Sequence, residues 1–377
     1  MSRHYDIVIV GAGIVGAACA MECARGGLRT LVVDRGCLGG GTTAAGMGHV
    51  VVMDDSEAQF SLTHFSRRLW MELRKELPQD VEYDSCGTLW VAADADEMAE
   101  VHRKQKYYEQ RNVRVEVLDA VGLAKAEPNL RAGLAGGLCV PDDAVVYPPC
   151  AARFFLEWAL KSGAELRTGI PVIKLLPEGG VQLADGSRIS AGRSVNATGP
   201  WSPELTADLP VRKRKGHLVI TDRAPGFVRH QLVELGYLKS AHSLGSDSVA
   251  FNIQPRITGQ MLIGSSRQFD VEDGSVDQPI LNRMLKRALE YLPTLADLSA
   301  IRAWTGHRAV TPDKLPLIGP SLACDRIWLA TGHEGLGITT SLGTGRLLVD
   351  LLLGRSTEIP ATPFAPARFA NGNTHHA

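Results

Sequence analysis

Residues 5–35, "YDIVIVGAGIVGAACAMECARGGLRTLVVDR", leave the chain few ways to begin folding. Residues 7–10 are a short, wholly apolar run, the pattern of a central strand covered on both faces of a parallel sheet. Gly11, Gly13 and Gly16 follow with the spacing G-x-G-x-x-G. The first permits a tight turn, the second lets a pyrophosphate approach the backbone, and the third lets the next helix lie against the strand. Ile14 and Val15 open that helix, whose N-terminus presents unpaired N–H groups and partial positive charge to phosphates. Gly26 and Gly27 end it, and 28–34 is a second strand. Asp34 closes this strand 18 residues after Gly16, where a carboxylate accepts from ribose hydroxyls and disfavours a 2′-phosphate, with Arg35 beside it. The segment predicts a Rossmann-like dinucleotide site and leaves FAD and NAD both open.

Later segments choose between them. "GCLGGGTTAAGMGHVVV" (36–52) is too rich in small residues to be the next helix of an NAD-binding sheet. Thr42, Thr43, Ala45, Gly46 and Met47 suit a loop folded around a large planar ligand and its phosphates. A flexible surface loop fits less well, because an apolar strand resumes at 50–53. "GRSVNATGPWSPEL" (192–205) is a strand ending in a turn with Ala197, Thr198, Gly199 and Trp201. "RIWLATGHEGLGITTSLGTGRLLVDLLLG" (326–354) gives a strand at 327–330 and a glycine loop with Gly332, His333, Gly335, Leu336 and Gly337. A helix then starts near Ile338 and Thr339 and ends at Gly354. This second glycine-preceded helix N-terminus could receive the electron-rich edge of a reduced flavin.

With such motifs at the start, middle and end, the nucleotide domain must be discontinuous. The expected segments are 1–84, 148–208 and 312–377, with 85–147 and 209–311 forming a substrate-binding domain. In the latter, 248–255 and 260–266 read as strands joined by the hairpin-like "RITG", so an antiparallel sheet is expected. The fold class is α/β with an α+β second domain. Ser56 caps a helix expected to reach Pro78, with Phe60, Leu62, Phe65, Leu69, Leu73 and Leu77 as a core stripe and His64 structural; Asp94 caps 95–111; 277–293 is amphipathic. The tail after Pro363 reads as loose.

The 377 residues carry a formal charge of −1, which gives no reason to expect a nucleic acid or an anionic membrane surface as partner. "RKRK" (212–215) reads as a solvated strand edge or loop rather than a docking patch. Seven scattered cysteines form no CxxC pair and no metal spacing, as expected for free thiols in a reducing compartment. No apolar run approaches the ~20 residues of a membrane helix. With the motif at the very start leaving no room for a signal peptide, a cytoplasmic location is expected.

The segments "VIVGAGIVGAACA", "TTAAGMG", "EPNL", "VNATGPWS", "TPDKLPLIGP" and "LATGHEGLGITTSLGTGRLL" run through the whole chain. Together they resemble the D-amino-acid oxidase (DAO) family of FAD enzymes, in its glycine oxidase and sarcosine oxidase branch. "KGHLVIT", "TGHRAVTPDKLPLIGP" and "GHEGLGITTSLGTGRLL" are most similar to the catalytic subunits of bacterial D-hydroxyproline dehydrogenases, with hydrogen cyanide synthase and opine dehydrogenase subunits sharing the look. The resemblance implies a glutathione-reductase-like FAD domain and dehydrogenation of a D-amino or imino acid, cis-4-hydroxy-D-proline first. Hydride would pass from the substrate Cα to flavin N5. It also implies partner subunits bearing iron–sulfur or further flavin centres. Through such partners the chain could sit peripherally at the inner membrane. A stand-alone oxidase using oxygen and a non-catalytic flavin electron-transfer subunit are the alternatives. Val172 and Gly306 join the expected cofactor set. Sarcosine oxidases bind flavin through a cysteine just before "TPD"; "WTGHRAV" has none, so FAD is expected to be non-covalent.

A flavin carries the redox chemistry, so the protein must chiefly grip and orient the substrate. Arg308, among small and apolar neighbours in "WTGHRAV", is the expected carboxylate clamp. A guanidinium meets a carboxylate through two parallel hydrogen bonds and never deprotonates. On a strand at 301–309, Trp304, Gly306 and Arg308 share one face and Thr305 and His307 the other. The family carries its carboxylate-binding arginine in a G-x-R segment here. His333 is the second catalytic candidate, and Asn252, His49 and Met47 are candidate substrate contacts. Asn252 stands where glycine oxidases place an active-site tyrosine. His217 defaults to a strand-end role, and no metal site is expected.

Overall fold

The computed structural model describes residues 4–236, 247–269 and 271–370. Two compact units divide the chain: 1–81, 147–213 and 307–377 form the first, and 82–146 with 214–306 the second. The last crossing comes at 306/307 rather than after 311, so Arg308 belongs to the first unit while Trp304 and Gly306 belong to the second.

In the first unit six strands lie in the order Leu317–Pro320, Ile327–Thr331, Ala191–Asn196, Tyr5–Val10, Thr30–Val33 and Glu165–Arg167. All are parallel except Leu317–Pro320. Ile7, Val8 and Ile9 are fully buried, as their uninterrupted apolarity requires. Helix Ile14–Arg25 packs against both Pro148–Lys161 and Gly337–Leu352. A Cβ on Gly345 would lie 2.8 Å from the Ala18 carbonyl oxygen, so the Ile14–Arg25 and Gly337–Leu352 helices touch backbone to backbone. Val172 begins a three-stranded antiparallel ribbon and packs on the core that includes Val8, Leu31 and Val181.

Helix Glu57–Leu73 is capped by Ser56, whose side chain accepts from Gln59 N. It stops at Leu73, short of the expected Pro78, and Trp70 takes the inner position expected of Leu69. The indole decides this: Trp70 Nε1 donates to the Thr339 carbonyl at 3.2 Å, which turns the helix toward the larger ring. The tail is not loose as far as it is described, since Thr362–Phe364 and Pro366–Phe369 form 3₁₀ turns with Phe364 fully buried.

The second unit holds an eight-stranded sheet in the order Ala300–Val310, Arg212–Thr221, Met261–Phe269, Ser248–Pro255, Gln231–Glu234, Thr88–Ala92, Gly136–Val140 and Glu116–Asp119. It is not wholly antiparallel as expected: Gln231–Glu234 runs parallel to Thr88–Ala92. A parallel pair needs a long crossover, and the chain supplies one by returning through the first unit between these strands. Helix Gln278–Tyr291, capped by Asp277, lays Tyr291 flat on Phe251 with ring centroids 4.5 Å apart. Of the "RKRK" run, Lys215 is buried and pairs with Asp273 at 3.1 Å, while Arg212 is exposed.

Candidate active site

The first unit brings the three glycine motifs together. Gly11 has φ +108°, and a Cβ there would lie 2.6 Å from the Ala197 carbonyl oxygen. A Cβ on Gly16 would lie 1.9 Å from the Gly11 oxygen, so neither position admits a side chain. Gly13, at the N-cap, has no side chain to cap the helix; Thr43 Oγ1 does so instead, accepting from Ile14 N at 3.0 Å. Asp34 accepts from Ala12 N at 2.6 Å and Gly36 N at 2.7 Å, so it braces the turn. Each of its oxygens keeps a further lone pair for a hydroxyl. The Arg35 guanidinium stacks 4.7 Å from the Trp201 ring centre and pairs with Glu204 at 3.6 Å, tying the first motif to the third.

Other expected residues of this unit are tied into the same loops, while Val172 lies on the ribbon and Gly306 in the second unit. Thr42 Oγ1 donates to the His307 carbonyl at 2.7 Å. A Cβ on Gly46 would meet Ile338 Cδ1 at 2.8 Å; Met47 is buried and Ala45 half-buried. Ala197 N donates to Val10 O at 2.9 Å, and the Thr198 hydroxyl donates to Asn196 Oδ1 at 2.7 Å. Gly199 (φ +58°) turns its carbonyl to accept from the Thr331 hydroxyl at 2.9 Å. Gly332 (φ +79°) and Glu334 (φ +53°) bend the next loop, and Glu334 N donates to Ala309 O at 2.8 Å. Leu336 is the N-cap of a helix that starts at Gly337.

His333 is buried against Thr344, with Nε2 2.9 Å from its hydroxyl oxygen. Burial pushes its pKa down to about 3, so the ring is neutral at working pH and acts through position rather than charge. Thr339 ties two motifs together: its hydroxyl donates to the His49 carbonyl at 2.8 Å. Ser66, which no motif in the sequence marks, enters the ladder of helix Gly337–Leu352. Its hydroxyl donates to Thr339 O at 2.6 Å and accepts from Gly343 N at 2.9 Å, replacing a direct backbone bond. The only sequence trace is Gly343, where a Cβ would lie 2.9 Å from Ser66 Cβ.

Arg308 lies near the end of strand Ala300–Val310, and a Cβ on Gly335 would come within 3.7 Å of its Nε. The guanidinium therefore lies over the loop that precedes helix Gly337–Leu352. His49 is half-buried, and its Nε2 is buried with no hydrogen-bond partner among the described residues. Its pKa is pushed down to about 4, first by burial and then by the Arg308 charge. A permanent cation beside a neutral imidazole can hold an anion while offering an uncharged nitrogen to its neighbour.

The expected alternation along 301–309 is not seen in burial. Trp304, Thr305, Gly306, His307 and Arg308 are all half-buried, and only Ala309 is buried. The strand is the edge of its sheet. In the second unit Asn252 is buried on the face opposite Phe251 and Ile253, and its Oδ1 has no partner among the described residues. Among the described residues no group of three or more His, Cys, Asp or Glu could hold a metal ion, and no helix is long and apolar enough to cross a membrane.

The pyrophosphate turn without room for side chains, the ribose-side carboxylate and the small-residue loops before a second helix N-terminus fit FAD. The DAO family profile, FAD dependent oxidoreductase, matches residues 6–351. The chain is 29% identical to the hydrogen cyanide synthase subunit HcnC of Pseudomonas aeruginosa, over 98% of this chain and 97% of that one. It is 30% identical to the glycine oxidase of the same species, over 96% and 98%. The crystal structure of glycine oxidase from Geobacillus kaustophilus superimposes with a TM-score of 0.87 at 25% identity, over 97% of this chain and 99% of that one. Motifs, fold and similarity agree that the chain belongs to the DAO family of FAD-dependent oxidoreductases, enzymes that oxidise the CH–NH2 group of amino acids.

Proposed function

We propose that this chain is the substrate-oxidising flavoprotein of a multi-subunit dehydrogenase for D-amino or imino acids, with cis-4-hydroxy-D-proline as substrate. The observation that carries the reading is Arg308, placed over the Gly335 loop with the neutral, unpartnered Nε2 of His49 within its field. Its fork holds the substrate carboxylate through two hydrogen bonds. His49 Nε2 accepts a hydrogen bond from the substrate amine, which fixes the Cα–H direction and favours the neutral amine that oxidation needs. Met47 contacts the substrate's remaining atoms. His333, bonded to Thr344, is a positioning residue for the glycine loop. Gly11, Gly13, Gly16, Asp34 and Thr43 hold the nucleotide, and the 332–339 loop and helix start hold the flavin end. When bound, FAD accepts the hydride that leaves the substrate Cα. Binding is non-covalent, since no cysteine stands in 304–310.

Electrons then leave to partner subunits with iron–sulfur or further flavin centres, a role supported by similarity to a protein named as a synthase subunit. Seven free cysteines, Cys37 exposed among them, support a reducing, cytoplasmic setting. The similarity to glycine oxidase favours a second reading, a stand-alone oxidase passing electrons to oxygen. Anaerobic addition of hydroxyproline isomers, proline isomers, glycine and sarcosine to the FAD-loaded protein tests both. Bleaching by cis-4-hydroxy-D-proline, with turnover only when a dye accepts electrons, is expected. Peroxide release in air moves the assignment to an oxidase, and no bleaching by any member leaves a non-catalytic electron-transfer subunit.

A further inference from the structure

Hydroxyl side chains crowd the first turn of helix Gly337–Leu352. Thr340 Oγ1 donates to the Leu336 carbonyl at 2.8 Å and Ser341 Oγ to the Ile338 carbonyl at 2.9 Å, so both bond within their own helix end. Thr339 does not. Its hydroxyl donates to the His49 carbonyl at 2.8 Å and accepts from Val51 N at 3.3 Å, so one oxygen clamps the chain on both sides of Val50. Its carbonyl also leaves the helix ladder, accepting from Ser66 Oγ at 2.6 Å and from Trp70 Nε1 at 3.2 Å. Thr339, Ser66 and Trp70 are all fully buried, and the Trp70 ring packs on Phe155 with centroids 5.2 Å apart. His49 Nε2, by contrast, has no hydrogen-bond partner among the described residues. The direction of that ring therefore depends on where the backbone at 49–51 is held, and Thr339 holds it.

We infer that Thr339 is a positioning residue that acts through His49, with Ser66 and Trp70 fixing Thr339 in turn. The inference rests on the proposed function, in which His49 Nε2 receives the substrate amine and the start of helix Gly337–Leu352 holds the flavin end. On that reading one side chain links the support of the hydride donor to the support of its acceptor. A small misplacement of a reacting group costs up to ~100-fold in rate, so the clamp bears on the rate of hydride transfer. Affinity depends on it less, because the carboxylate is gripped by Arg308, which the clamp does not touch.

The test is anaerobic stopped-flow reduction of the FAD-loaded full chain by whichever member of the substrate panel bleaches it, which reads the limiting rate and the substrate Kd separately. Thr339→Val keeps the side-chain shape and removes the hydroxyl; Thr339→Ser keeps the hydroxyl. Per bound flavin, the valine variant is expected to slow reduction at least ~10-fold with Kd within ~3-fold, and serine to bring the rate back to within ~3-fold of wild type. The decisive readout is a double-mutant cycle with His49→Ala: once the imidazole is absent, Thr339→Val should slow reduction by no more than ~2-fold further. The same ~10-fold loss in both backgrounds would show that Thr339 serves only the fold or the flavin, and overturns the inference. An unchanged rate in the valine variant, or a loss that serine does not restore, overturns it as well and leaves the proposed function standing. If Thr339→Val does not fold, Ser66→Ala takes its place in the cycle: it releases the Thr339 carbonyl, and its slowing of reduction should likewise vanish in the His49→Ala background. Bleaching of the wild type by no compound overturns the proposed function and this inference with it.

Discussion

Replacing Arg308 with alanine removes the charge that, in our reading, fixes the substrate. Loss of one partner from a buried, hydrogen-bonded ion pair costs about 3–5 kcal/mol. At about 1.4 kcal/mol per decade this corresponds to ~10²–10³ in kcat/KM. Arg308 is half-buried in the free protein, which places the expected loss toward ~10². FAD content should be unchanged, because the proposed cradle is built from Gly11, Gly16, Asp34 and Thr43 rather than from this side chain. The His49 pKa should rise from about 4 but stay below its ordinary value, since burial is the larger cause and the Arg308 charge the lesser. Arg308→Lys keeps the charge but not the two-pronged geometry, so it should recover the pKa more fully than the activity. Steady-state kinetics with a dye acceptor, flavin absorbance and an NMR titration of His49 read the three quantities. Activity within a few-fold of wild type at full FAD occupancy would refute the carboxylate clamp, and an unmoved His49 would refute the electrostatic coupling.

Other expectations follow from the same geometry. Gly16→Ala places a methyl 1.9 Å from the Gly11 oxygen, so the protein should lose FAD or fail to fold, read by absorbance and circular dichroism. Thr43→Val removes the acceptor for Ile14 N and should destabilise by about 1 kcal/mol in denaturant unfolding, with weaker FAD binding. Gly343→Ala presses on Ser66 Cβ and should destabilise by about 1–3 kcal/mol; Ser66→Gly should relieve part of that, a non-additivity that a double-mutant cycle measures. His333 has a folded pKa of about 3, below its ordinary 6.5, so the unfolded chain takes up its proton first. Its contribution is therefore intact above pH 6.5 and is lost as pH falls from 6.5 toward 3. His333→Gln should flatten that part of the stability–pH curve.

The nucleotide-binding half was legible in the chain because its demands are local. Gly11, Gly13 and Gly16 must stand at fixed spacing between two strands, and Asp34 must end the second, so sequence distance alone locates them. The glycine loop before helix Gly337–Leu352 was readable for the same reason, to within a residue of its start. The same locality marked Arg308 as an oddity without saying what surrounds it. Tertiary structure alone decided the rest, because those contacts join residues far apart in sequence. Ser66 enters a helix nearly 280 positions away, and Thr43 caps a helix that precedes it. The parallel pair in the second sheet depends on where the chain leaves that unit and returns, which no window of sequence records. Thr339 is an ordinary threonine in the sequence, and only the fold buries it and sets its hydroxyl against the backbone of His49 and Val51. Burial of a polar group is a property of its neighbours, and the neighbours are chosen by the fold.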